Sequence, residues 1–139
     1  MESEKMDLVF NIGELLSETM SEQQKYGVVL PINDFTEENE IMLNAIFKAV
    51  MVDITNQVKI LKIEENQEIR IMDMYAQPGY LFIMGIPPEK IGFTMPLISY
   101  QFTKIGRINV LQSDSLMVLK SNVEAKKKLW NSLKSEFLP

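Results

Sequence analysis

The chain has 139 residues, 46% of them hydrophobic and 24% charged, which suits one globular domain with a single core and leaves no room for a second. It contains neither cysteine nor histidine, which excludes disulfides, thiolate chemistry and the commonest general base and metal ligand. A formal net charge of −5 opposes nonspecific DNA binding, which needs a basic surface to neutralise phosphates.

From Met6 to about Tyr26, Leu8, Ile12, Leu15, Leu16 and Met20 recur at helical spacing beside Glu14, Glu18 and Glu22, predicting an amphipathic helix ahead of the core. Gly13 weakens it in isolation by about 1 kcal/mol relative to alanine, so it profits from a surface to pack on, its own domain or another protein. Val28 to Ile32 reads as a short strand ending in the turn-forming pair Asn33-Asp34. A helix follows to about Ile54, with Thr36 as its cap, Glu37 and Glu38 at the positive end of its dipole, and Ile41, Met42, Ala45, Ile46, Ala49 and Val50 as its buried stripe.

Val58 to Ile63 reads as a strand and Glu68 to Tyr75 as a short helix, before Pro78-Gly79 breaks the chain. The apolar run Tyr80 to Ile86 shows no alternation, as expected for a central strand covered on both faces, and Pro87-Pro88 ends it. Leu97 to Phe102 reads as an edge strand or hairpin arm ahead of the strand Arg107 to Leu111. Last, Ser121 and Glu124 have capping-box spacing, and Val123, Trp130, Leu133 and Phe137 line one face of a helix that runs almost to Pro139, with Trp130 as a core anchor. Strands alternating with helices predict an α/β three-layer sandwich with a mostly parallel central sheet of about four strands. Residues 1–26 form a separate N-terminal amphipathic segment and 27–139 the single α/β domain.

In such a sheet the functional crevice lies beyond the carboxyl ends of the strands. Asn33, Asp34, Glu64, Glu65, Glu89, Lys90, Ser113, Asp114 and Ser115 fall there; turn building and solvation explain each of them as well. No glycine-rich phosphate loop is present, Gly85 and Gly92 standing alone, and no catalytic constellation, cofactor site or metal site is expected. The run Lys126-Lys127-Lys128 reads as a solvated helix face. No apolar run approaches the ~18 residues of a membrane span, and the acidic start Met1-Glu2-Ser3-Glu4-Lys5 lacks the basic prelude of a secretory signal. A cytoplasmic protein is the expectation.

The stretch Leu119 to Leu133, in which a Leu-Lys-Ser-Asn entry precedes a basic helix bearing Leu129-Trp130, resembles the C-terminal signature of the psi subunits of bacterial DNA polymerase III. Asn33-Asp34 after a Val-rich strand, the strand Val58 to Ile63 and the ending Phe137-Leu138-Pro139 extend the resemblance. That family's fold is similar to uracil-DNA glycosylases, but Ser113 to Met117 lacks the glycosylase histidine, so glycosylase activity is not implied.

The resemblance implies an accessory subunit in DNA replication that bridges a clamp-loader subunit, through its N-terminal segment, to a chi-like protein and so indirectly to single-stranded-DNA-binding protein. Leu8, Phe10, Ile12, Leu15 and Leu16 are then the partner-binding residues, although this segment has Phe10 and glutamates where the family has tryptophan and arginine. Two other readings remain: an inactive or altered glycosylase-like domain that binds nucleic acid or a small ligand at the strand ends, and a hydrolase that uses Asp34 with Glu64 or Glu65 and a divalent metal.

Overall fold

The computed structural model describes residues 24–74 and 79–138. Five strands form one sheet in the order β2-β1-β3-β5-β4: β1 (Tyr26–Pro31), β2 (Val58–Ile63), β3 (Gly79–Met84), β4 (Thr103–Ile105) and β5 (Ile108–Ser113). The first three and β5 run parallel, with Val28 opposite Ile60 on one side and Phe82 on the other, while β4 pairs antiparallel with β5. The fold is therefore α/β with a mostly parallel sheet, as expected, but with five strands rather than four. The central position of the Tyr80 run also holds, because β3 is the middle strand.

Strand alternation sends side chains to two cores. Val28, Leu30, Phe82, Met84 and Leu111 face one side, where they meet α1 (Glu37–Ala49), α2 (Ile54–Gln57), α3 (Leu116–Ser121) and α4 (Val123–Phe137) through Leu43, Phe47, Ile54, Leu119, Leu129 and Leu133. Val29, Leu81, Ile83 and Val110 face the other side, where the cover is Ile71, Ile86, Ile91 and Phe93. Among the described residues that second cover consists of 3-10 turns, Ile71–Met74 and Pro88–Ile91, and loop, so the expected third layer of α-helix is replaced by irregular chain. The N-terminal helix falls on residues outside those described.

Several boundaries differ from expectation for local reasons. The helix read as reaching Ile54 stops at Ala49, because Met51 adopts a left-handed φ of 65° and Asp53 then caps the separate α2 through Thr55 N–H at 3.0 Å. The edge strand is Thr103–Ile105, not Leu97–Phe102: Tyr100 sits at φ 64° in a turn, its N–H held by Gln112 O at 2.8 Å. Of the segment read as a helix from Glu68 to Tyr75, the described residues 68–74 make only the 3-10 turn at Ile71–Met74.

The last helix is not capped by Ser121. Ser121 ends α3, and Asn122 caps α4, its side chain accepting from Ala125 N–H at 3.0 Å.

The stripes of the two long helices are also displaced from their expected places. On α1 the buried residues are Asn39, Leu43 and Phe47, whereas Ile41 is 66% exposed and Met42 and Ile46 are half-buried. On α4 the buried residues are Ala125, Leu129 and Leu133, and Trp130, expected as a core anchor, is 38% exposed.

Candidate functional site

In parallel sheets of this kind ligands bind beyond the strand ends, at the point where the strand order reverses. Here that point lies between β1 and β3, and the residues around it are occupied in holding the fold. Asp34, only 6% exposed, ends the 3-10 turn Ile32–Asp34 that follows β1. Its Oδ2 accepts from Leu116 N–H, the first residue of α3, at 2.8 Å, and its Oδ1 and backbone carbonyl accept from Asn39 Nδ2 at 3.3 and 2.7 Å. One carboxylate thus ties the end of β1 to the starts of α1 and α3, matching the orphan N–H groups of a helix terminus. Asn39 Oδ1 is buried without a partner in this network.

Ser113 is buried at the end of β5 and donates its hydroxyl to Asp114 O at 2.9 Å, while Ser115 caps α3 by accepting from Val118 N–H at 3.3 Å. Gly85, with φ 79°, closes the crevice from the β3 side: a Cβ on it would lie 2.7 Å from Ser115 Cβ. Only glycine lets the two strand ends approach this closely. Asp114 faces outward to Tyr100, whose hydroxyl donates to its Oδ2 at 2.5 Å and accepts from its N–H at 3.2 Å. Burial and then this carboxylate push the Tyr100 phenol up to about 12.

Asn33, Glu64 and Glu65 stand elsewhere, around an open polar cleft of about 590 Å³ shared with Ile32, Asn66 and Gln67. Glu65 contributes its backbone carbonyl to Lys90 Nζ. Asp34 is not part of that cleft, since both its carboxylate oxygens are bonded inside the protein. The pairing of Asp34 with Glu64 or Glu65 on a metal is therefore not assembled, and no group of three potential metal ligands occurs among the described residues.

An apolar groove of about 480 Å³ also lies open between α1 and α4. Met42, Ala45, Ile46 and Ala49 form one wall, Val123 and Trp130 the other, and Leu119, Leu129 and Leu133 lie beneath. Lys126 and Lys127 are its charged lining residues, with no acidic residue among them. The groove exists because both helices lean on α3, through contacts that include the Glu38–Lys120 ion pair, and not closely on one another. That pair, hydrogen-bonded and exposed, holds the Glu38 carboxyl below its ordinary value.

Sequence reasoning assigned these wall residues to the core. The signal that marks them is the width of the apolar face on α1: Leu43 and Phe47 fill the core at i, i+4 spacing, and the adjacent Met42-Ala45-Ile46-Ala49 row is a second stripe. Leu8, Phe10, Ile12, Leu15 and Leu16 lie outside the described residues. No helix among the described residues is long and apolar enough to cross a membrane. In comparisons with known proteins, no family model, no curated protein and no solved structure matches this chain.

Proposed function

We propose that this chain is a non-catalytic protein-binding subunit, and, following its resemblance to the psi subunits, that it bridges a clamp-loader subunit and a chi-like partner in DNA replication. The carrying observation is the α1–α4 groove: an open apolar surface of helix-binding shape, with an indole in its wall and lysines at its edge. Grooves of this kind take the apolar face of an amphipathic helix. The strand ends, where an α/β enzyme keeps its reactive groups, are instead spent on the fold: Asp34 ties the end of β1 to α3, Ser113 bonds to the Asp114 carbonyl beside it, and Ser115 caps α3. Both features support a role in holding proteins together. In a cytoplasmic replication complex the gain is effective concentration: tethering one partner raises its local level beside another.

A pull-down with the intact chain tests this. Capture of a clamp-loader subunit, lost in the Leu15→Asp, Leu16→Asp variant while a chi-like protein is still retained, is the expected result. Capture of no partner by the intact chain, or excision of uracil from DNA by a clean preparation, overturns it.

A further inference from the structure

The groove between α1 and α4 carries a charge opposite to that of the chain. The chain is acidic, at −5, yet the charged residues that line the groove are Lys126 and Lys127, with no acid among them. Neither lysine is held by an ion pair among the described residues. Glu38, one helical turn before Met42, is already matched to Lys120. The apolar lining is open as well: Val123 is 75% exposed, Trp130 is 38% exposed, and Met42 and Ile46 are half-buried. Apolar surface of this kind gains free energy when a partner excludes water from it.

Shape narrows the partner. Phe47 of α1 and Phe137 of α4 pack edge-on against Tyr26 at 6.4 and 5.9 Å, so the two walls run in the same direction. Met42 to Ala49 makes a wall about 10 Å long and Val123 to Leu133 one of about 15 Å. A helix of about three turns fills that length, with apolar residues at i, i+3, i+4 and i+7 along the floor and one of them against the indole.

Charge decides among the occupants that remain. A second copy meeting on the same patch brings Lys126 and Lys127 to an interface with no acid to receive them. A bilayer is flat and meets the rims of the groove, not Leu129 and Leu133 at its floor.

We propose that the α1–α4 groove binds a helix of another protein that is apolar on one face and acidic beside it, with Lys126 and Lys127 selecting the acid and Trp130 as the apolar anchor. This rests on the reading of the groove as a helix-binding site and adds the chemistry of the partner. The two lysines act on selection and encounter more than on tightness, because exposed charge pairs are individually weak.

A displayed library of helices of about sixteen residues, long enough to cover the groove, tests this on the intact chain. Its apolar positions vary among Leu, Ile, Met and Phe, and its flanking positions between Glu and Lys. Sequences captured by the native chain should carry Glu over Lys at the flanking positions by about fivefold, and the Lys126→Glu, Lys127→Glu variant should reverse that preference. Because the chain as a whole is negative, a preference for Glu has to come from the groove. A captured peptide, free of tryptophan, should shift the emission of Trp130, the single tryptophan of the chain, in a saturable way. Ala45→Asp, at an exposed position of the wall, should abolish capture and keep a near-native unfolding midpoint.

Captured sequences with Lys equal to or above Glu overturn the proposal and leave the helix-binding reading standing. Capture of nothing beyond what Ala45→Asp retains removes that reading, and this inference with it. Dimers of the native chain that Ala45→Asp disperses would assign the groove to a second copy, and a Trp130 shift on phosphatidylcholine–phosphatidylserine vesicles but not with peptides would assign it to a membrane; either overturns the proposal. An acidic helix bound at Trp130 in a protein that captures no clamp-loader subunit keeps this inference and removes the bridging role.

Discussion

At the residue scale, Asp34 carries the most structural weight of any polar group described. It is buried, both its oxygens accept, and Leu116 N–H across 82 positions of sequence depends on it. Replacing it with alanine leaves that N–H without its acceptor, while the Asn39 amide keeps the Asp34 backbone carbonyl, at a cost of about 1–3 kcal/mol for a buried group without its partner. Asp34→Ala is therefore expected to lower the urea midpoint with an unchanged slope, and Asp34→Asn to lower it less, because one acceptor oxygen remains. A midpoint equal to the native one would mean that the carboxylate serves something other than the fold. The residue was legible in the sequence as a turn former after a strand, but its bond to α3 was not, because nothing local signals a partner so far away in the chain.

At the scale of elements, the junction between α3 and α4 separates two readings of the same five residues. Ser121 and Glu124 have the spacing of a capping box, yet the side chain that accepts from the first turn of α4 belongs to Asn122. Ser121 hydrogen-bonds backward instead, to Met117 O and Val118 O at 3.4 and 3.5 Å. Asn122→Ala is expected to cost about 1 kcal/mol, and Ser121→Ala to stay within about 0.5 kcal/mol of native, as surface substitutions do; thermal or urea unfolding of the two variants decides between the readings. The short α3 escaped the sequence reading because its six residues offer too little periodicity to set it apart from a loop.

On the scale of the whole molecule, aromatic side chains knit the sheet to α4. Tyr26 stacks on Tyr80 at 5.4 Å, Tyr80 meets Phe137 at 4.8 Å, and the Tyr80 hydroxyl donates to Glu136 at 3.0 Å. Burial, then the Glu136 carboxylate, push the Tyr80 phenol up to about 12, and burial raises Tyr26 as well. Tyr80 and Tyr100 thus keep their protons in the folded protein at pH values where an unfolded tyrosine has lost them. Their stabilisation is complete below pH 10 and is lost as pH rises from about 10 to 12, since the folded state then binds more protons than the unfolded one. An absorbance titration of the phenolates should show the upward shifts, and unfolding midpoints should fall across the same window, less steeply in the double variant Tyr80→Phe, Tyr100→Phe.

Period and composition alone determined the class of fold: the unbroken apolar run at Tyr80 to Ile86 is a strand with both faces covered, and the alternation of strands and helices forces parallel pairing. They also located Asp34, Ser113 and Ser115 at the strand ends. The tertiary structure alone decided which of two neighbouring apolar stripes on α1 and α4 enters the core and which walls the groove. Helical periodicity reports how wide an apolar face is; which part of that face meets the sheet depends on the tilt and spacing of the helices, and α3, which contacts both, bears on these through its contacts with α1, distant in sequence.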